Sequence, residues 1–149
     1  MKVKVKKLHP DAKIPVKAEG HERDFCYDCT AVSREELAPN VYKYKLGLAF
    51  EIVNDDGSSE IIYDIDARPR SSVWKTGMVL SNCEGTIDEI YRGEVCAIFY
   101  HVLPDMPIYE VGDRVVQIKL GTTEKIEWEE TDELSETTRG VGGFGSTGK

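Results

Sequence analysis

The sequence predicts an all-β chain. Residues 41–53 alternate apolar with other residues, short β-rich runs separated by Gly- or Pro-bearing segments recur along the chain, and no stretch sustains a 3.6-residue apolar period. Strands of this kind fit a sandwich, a jelly roll or a barrel, architectures that bury or shorten exposed strand edges.

Taken in order, residues 3–8 form the first β candidate. Ser33-Arg34-Glu35-Glu36-Leu37 is the one helix start, because Ser33 and Glu36 stand at capping-box spacing, and Pro39 holds any helix begun there to a turn or two. From Val41 to Val53, Tyr42, Tyr44, Leu46, Leu48, Phe50 and Ile52 fall on even positions and Lys43, Lys45 and Glu51 on odd ones, which reads as one strand with one buried face. Asn54-Asp55-Asp56-Gly57 is turn chemistry, and Ile61, Ile62, Tyr63 and Ile65 resume the β pattern, so a hairpin is expected across it. Residues 78–80, 95–103, 115–120 and 126–128 are the remaining β candidates.

The 149 residues suit one domain, and a 40% hydrophobic composition supplies its core without staples. With 19 Lys and Arg against 27 Asp and Glu, the net charge of -8 has the wrong sign for gripping nucleic acid through its phosphates. No apolar run approaches the ~20 residues of a membrane helix, and the Lys-rich N-terminus has no apolar region behind it, so a cytoplasmic location is expected. Cys26, Cys29, Cys83 and Cys96 then read as reduced thiols in strand packing. Cys26-Tyr27-Asp28-Cys29 is a CxxC without the second close pair that a structural zinc site needs.

The C-terminal part changes character. Residues 124–136 carry seven acids against Lys125, whereas residues 137–149 hold Arg139 and Lys149 and no acid. Residues 1–136 are therefore read as one domain and 137–149 as an arm. Gly140, Gly142, Gly143, Gly145 and Gly148 leave Val141 and Phe144 as almost the only residues to bury, so the arm alone is expected to be disordered. It also suits a lid: glycines expose amides to phosphate oxygens, Arg139 brings a permanent planar charge and Phe144 a stacking face. Phosphate plus base points to a nucleotide. No GK[ST] precedes a helix and no strand-turn-helix surrounds the glycines, so neither a Walker loop nor a Rossmann fingerprint is present.

Two further segments carry chemistry. Pro69-Arg70-Ser71-Ser72 comes just after a strand and joins a guanidinium to two hydroxyls, a set suited to phosphate oxygens. Gly85-Thr86-Ile87-Asp88-Glu89-Ile90-Tyr91-Arg92-Gly93 has hairpin length, and a turn at Glu89-Ile90 would make Asp88 and Tyr91 cross-strand neighbours.

Together these segments resemble the trimeric all-β deoxyuridine triphosphatases (dUTPases), whose five motifs can be placed in order. They fall on Tyr27-Asp28-Cys29-Thr30-Ala31, on Pro69-Arg70-Ser71-Ser72, on residues 82–93, on Gly112-Asp113-Arg114-Val115-Val116-Gln117 and on residues 139–148. The resemblance implies a jelly-roll subunit in a homotrimer, with active sites shared between subunits and the C-terminal arm of one closing over a site built by others. It implies hydrolysis of dUTP to dUMP and pyrophosphate by water attacking the α-phosphorus, which supplies dUMP for thymidylate synthesis and limits uracil in DNA. Asp88 matches the general base, a weak one whose effect comes from positioning the water. Tyr91 matches the ring packed on deoxyribose, where it excludes a ribose hydroxyl.

By the same resemblance Gly85, Thr86, Ile87 and Asn82 surround the uracil. Arg70, Ser71, Ser72, Gln117 and Arg139 match phosphate-contacting positions, and Phe144 stacks on the base within the Phe144-Gly145-Ser146 stretch. Mg²⁺ is expected on the triphosphate, with Asp28 near its water shell. Arg70, Arg139 and the metal converging locally would let a chain of net charge -8 hold a tetra-anion. The sequence departs from the family at Phe25-Cys26, where Ala-Gly is usual, and at Ser72, where many members have Gly. Two rival functions compete with dUTP hydrolysis. A dCTP deaminase of the same fold would need a Glu at the position aligned with Ile98, and an aliphatic residue cannot shuttle protons. A non-catalytic, nucleotide-dependent regulatory trimer would contact a partner protein through strands such as residues 41–53.

Overall fold

Ten strands and one short 3-10 helix organise residues 1–54 and 60–143, the residues that this computed structural model describes. The strands are β1 (Lys2–Lys7), β2 (Tyr27–Thr30), β3 (Ser33–Ala38), β4 (Val41–Lys45), β5 (Leu48–Val53), β6 (Ile61–Pro69), β7 (Met78–Leu80), β8 (Gly85–Asp88), β9 (Cys96–His101) and β10 (Arg114–Glu124). Two four-stranded sheets, ordered β2-β10-β6-β8 and β3-β4-β9-β7, are accompanied by a β1-β5 ribbon. Every pairing between strands is antiparallel.

Both sheets feed one core. Cys29, Val116, Ile118, Ile65 and Ala67 come from the first, Tyr44, Phe99, Ala97, Met78 and Leu80 from the second, and Leu48, Phe50 and Ile52 from the ribbon. At its centre Tyr44, Phe99 and Tyr109 meet edge to face, with ring centroids 5.7, 6.2 and 5.5 Å apart, a geometry that aligns positive ring edges with negative faces. Burial pushes the Cys29 thiol up to about 12, with the Asp28 charge adding to it, so this cysteine is a packing residue.

The period-two pattern of residues 41–53 gives two strands, not one. Gly47 stands between them at φ 66°, and a Cβ there would come within 2.8 Å of the His9 Cβ. Only glycine fits, and the chain leaves the β3-β4-β9-β7 sheet at this point for the β1 ribbon. Side-chain parity survives the break, since Tyr44, Leu46, Leu48, Phe50 and Ile52 are all buried.

Three other expectations are corrected. β5 and β6 do not form a hairpin: β5 pairs with β1, and β6 lies between β10 and β8. The turn residues Asp55, Asp56 and Gly57 lie outside the described residues. Residues 33–37 are strand, not helix. The Glu36 carboxylate accepts from the Asn40 amide at 3.3 Å, and Asn40 at φ 63° closes a tight turn that returns the chain along β4. Carboxylate chemistry that can cap a helix here stabilises a hairpin, because Tyr42 and Tyr44 offer a neighbouring strand to pair with. Residues 126–128 carry on beyond β10 without strand pairing, and residues 126–141 are all exposed.

Candidate active site

Most of the site residues predicted from the sequence that the structure describes fall on two parts of the β2-β10-β6-β8 sheet and its adjoining turns. The first lies beneath the turn after β8. There the Tyr91 amide donates to the Asp88 carbonyl at 2.9 Å, the turn expected at Glu89-Ile90, although residues 91–94 do not continue as a paired strand. The Tyr91 ring folds back over Gly93, where any Cβ would collide with it, and its hydroxyl donates to the Glu94 carbonyl at 3.2 Å. Asn82 packs against Gly85, whose missing Cβ leaves room for the amide group.

Asn82, Gly85, Thr86, Ile87, Asp88 and Tyr91 thereby surround one cavity of about 330 Å³, floored by Ala67, Leu80, Cys96 and Ala97. The Asp88 carboxylate stands exposed at its rim. It is the only carboxylate among the described lining residues, and Ile98 is not among them: it pairs with Lys43 on the other sheet. The pocket therefore offers amide, aromatic and apolar walls and a single carboxylate.

The second cluster arises from sheet register. Asp28 on β2 stands beside Gln117 on β10, which stands beside Arg68 on β6, and Arg70 comes two residues later as β6 ends. Arg70 donates from Nε and Nη2 to the two Asp28 oxygens at 2.6 and 3.0 Å, the planar fork-to-fork geometry that only arginine provides. A further Arg70 donor, Nη1, reaches the Ser72 hydroxyl at 3.1 Å, and Arg114 Nη1 donates to Asp28 Oδ2 at 2.9 Å. Gln117 Nε2 donates to the Pro69 carbonyl at 2.9 Å, pinning the strand just before Arg70.

Ser71 and Ser72 open the 3-10 helix Ser71–Lys75, which is closed by the Val73 amide on the Arg70 carbonyl and the Thr76 amide on the Val73 carbonyl, at 3.0 and 2.9 Å. Arg70, Ser71, Arg114, Gln117 and Asp28 line a cavity of about 380 Å³ together with Lys17 and His21. Arg114 lies inside the fourth motif, yet no site role was expected of it; its signal was its adjacency to Asp113 in a motif already assigned to phosphate. Lys17 and His21 carry no motif and were not anticipated.

One chain does not unite these clusters. Asp88 pairs with Asp64, six residues before Arg70 on β6, and at ~3.3 Å per strand residue the two lie about 20 Å apart. Arg139 is in neither cavity: it sits in an exposed turn with its Nε on the Gly142 carbonyl at 2.8 Å. Phe144, Gly145 and Ser146 lie outside the described residues.

Between the clusters, the outer face of the sheet holds a charge network. Asp66, only 7% exposed, is paired with Lys119 Nζ at 2.6 Å and lies 3.7 Å from Arg68, which also pairs with Glu84. Asp64 leans over Gly121, where a Cβ would collide with its carboxylate. Burial, then the neighbouring Asp66, pushes the Asp64 carboxyl above its ordinary value.

Mg²⁺ can be tested against these donors. Among the described residues no group of three or more His, Cys, Asp or Glu side chains could hold a metal. Asp28 uses three of a carboxylate's roughly four acceptor sites on guanidinium groups, which leaves one for a water. The donors fit a magnesium ion carried by phosphate and met through water, and they do not form a protein cage.

Comparison with known proteins gives the family of the chain. The dUTPase family pattern matches residues 51–148. The chain is 34% identical to the deoxyuridine 5'-triphosphate nucleotidohydrolase of Solibacter usitatus, covering all of this chain and 97% of that protein. It is 36% identical to the protein of the same name from Helicobacter pylori strain P12, over 99% and 97% of the two chains. The fold is similar to that of the Staphylococcus bacteriophage 80alpha dUTPase G164S mutant with dUpNHpp, with a TM-score of 0.79 at 22% identity and 99% coverage of both chains. No helix among the described residues is long and apolar enough to cross a membrane. A family pattern over residues 51–148 and full-length matches to curated relatives at about 35% identity make this chain a member of the dUTPase family.

Proposed function

We propose that this enzyme hydrolyses dUTP to dUMP and pyrophosphate, with Asp88 positioning the water that attacks the α-phosphorus. The observation that carries the reading is the cavity that brings Asn82, Gly85, Thr86, Ile87, Asp88 and Tyr91 around one nucleoside-sized space. Backbone groups of residues 85–87 and the Asn82 amide read the uracil edge, and the Tyr91 ring fills the place of a 2'-hydroxyl. Asp88 lies at the rim, where the phosphate chain leaves the pocket.

Arg70, Ser71, Ser72 and Gln117 bind the phosphates, joined here by Arg114. The Asp28 grip fixes the Arg70 fork before substrate arrives, so less freedom is lost on binding. Asp28, with one acceptor site left, would meet the water shell of a Mg²⁺ carried by the triphosphate, an ion that would neutralise charge at the leaving group. A general base must reach its water within hydrogen-bond range, yet Asp88 and Arg70 of one chain are about 20 Å apart. The site is therefore completed by a second copy, in a homotrimer whose three sites are shared. The arm, residues 137–149, brings Arg139 and the Phe144-Gly145-Ser146 stretch over a neighbouring site. Four free thiols suit the cytoplasm.

The test is pyrophosphate release from dUTP, UTP, dTTP and dCTP with Mg²⁺, for the wild type and Asp88→Asn. Release from dUTP alone, lost by about 10²-fold or more in Asp88→Asn while dUpNHpp still binds, is expected of a positioned base. Equal release from UTP would remove Tyr91 from its role, and undiminished turnover by Asp88→Asn would overturn the mechanism.

A further inference from the structure

Residues 16–28 form a closed loop beside the phosphate cluster. Val16 and Asp28 exchange backbone hydrogen bonds in both directions, at 3.2 and 2.8 Å, so the loop closes at the residue whose carboxylate holds Arg70. Within it the His21 amide donates to the Ala18 carbonyl at 3.0 Å and the Asp24 amide to the His21 carbonyl at 2.9 Å, two turns in succession. Lys17 gives its ammonium to the Glu22 carbonyl at 2.9 Å and lies 4.6 Å from the centre of the Tyr27 ring, which ties the loop across its width.

This loop is one wall of the 380 Å³ cavity whose other wall carries Arg70, Ser71 and Gln117. The charged groups of the lining are Lys17 and Asp24 from the loop, Asp28 from β2, Arg70 after β6 and Arg114 from β10. Their cations already have partners: Lys17 on Glu22, Arg70 on Asp28 and Ser72, Arg114 on Asp28. His21 stands on the same lining with one ring nitrogen engaged, its Nδ1 lying 3.2 Å from Asp24 Oδ2, and its side chain is 60% exposed. A carboxylate partner selects the ring form with hydrogen on Nδ1. The neutral ring then offers only a lone pair at Nε2, whereas the imidazolium keeps the Asp24 bond and gains a second N–H for an anion.

We infer that His21, held by Asp24, binds the β,γ-diphosphate of dUTP as an imidazolium. The inference rests on reading this cavity as the phosphate site: with the α-phosphate at Asp88, the part of the substrate that reaches Arg70 and Ser71 is the diphosphate that leaves. Asp24 on one ring nitrogen and phosphate on the other both favour the charged ring, so binding takes up a proton wherever the free ring is neutral. Affinity for the diphosphate portion therefore falls as pH rises, and affinity for a nucleoside monophosphate does not follow it.

The experiment uses the full chain, His21→Ala and Asp24→Asn, with binding of dUpNHpp and of dUMP in the presence of Mg²⁺ at about pH 6 and about pH 8, on either side of an ordinary histidine titration. Both replaced side chains are more than half exposed, so the three proteins should melt together. His21→Ala is expected to weaken dUpNHpp binding about tenfold near the lower pH and far less near the higher one, with dUMP binding unchanged at both, as loss of one charge-assisted hydrogen bond to the diphosphate requires. Asp24→Asn should lose part of the same advantage near the lower pH. Unchanged dUpNHpp binding, an equal loss at both pH values, or an equal loss for dUMP would overturn the inference, and wild-type binding by Asp24→Asn would overturn the part given to Asp24. Arg70→Ala separates the two levels: if it weakens dUpNHpp binding while His21→Ala does not, the inference alone falls, and if Arg70→Ala binds normally, the phosphate reading falls with it.

Discussion

Asp28 holds Arg70 through both carboxylate oxygens, at 2.6 and 3.0 Å, and the same carboxylate receives Arg114 at 2.9 Å. One acid from β2 thus sets the direction of two guanidinium groups that come from the ends of different strands. Charge-assisted, bidentate and largely shielded from water, this contact is the kind that keeps its geometry.

Asp28→Asn keeps the size of the side chain and removes the charge. With its three hydrogen bonds from guanidinium groups weakened or lost, KM for dUTP is expected to rise about tenfold or more. The Mg²⁺ concentration giving half-maximal rate should rise with it if the remaining acceptor site holds the metal's water. Kinetics over a Mg²⁺ series separate the two effects: a KM rise with an unmoved Mg²⁺ curve would confine Asp28 to its arginines.

Gly93→Ala is expected to cost discrimination more than stability. The added Cβ would collide with the Tyr91 ring, which must then leave its place over residue 93. The ratio of kcat/KM for dUTP over UTP should fall by about tenfold, the order of selectivity that steric fit to one small group supplies. An unchanged ratio would mean that the Tyr91 ring does not gate the sugar.

Asp64→Asn is expected to stabilise the protein at neutral pH. Its folded pKa is held above the ordinary value of 3.8, first by burial and then by Asp66. For a raised pKa the favourable contribution is complete below the unfolded value and is lost as pH rises through the folded one. At pH 7 the ionised carboxylate therefore works against folding, and the neutral amide does not. Melting curves across pH should show a gain near neutrality that shrinks as pH falls toward 3.8. A constant offset at every pH would assign the effect to packing.

Deletion of residues 138–149 is expected to leave the melting temperature almost unchanged, because the described residues 126–141 are exposed and contribute no core. Turnover should drop severely if Arg139 and Phe144 close the site. Wild-type kcat in the truncated enzyme would remove the lid.

What could be read from the sequence divides along physical lines. Tyr44, Phe50 and Ile52 announce burial through parity, and that signal survived even where Gly47 broke the strand, because side-chain alternation is local. Strand partners are not local. The hairpin expected across residues 54–57 failed because β1 and β10, far off in sequence, pair better with β5 and β6. Asp88 and Tyr91 were legible because a tight turn fixes their proximity within four residues. The Asp28–Arg70–Arg114 contact spans 86 positions and could be suggested only by the motifs around it.

The wide spacing of Asp88 and Arg70 along one sheet has a consequence at the level of populations of molecules. If each reaction centre draws its base from one chain and its anion-binding arm from another, specific activity depends on protein concentration, falling on dilution more steeply than the amount of enzyme. A cell carrying two alleles would then make mixed assemblies, in which a defect inherited on one chain is expressed at a centre whose other half is intact, and two differently damaged chains could rebuild a working centre between them.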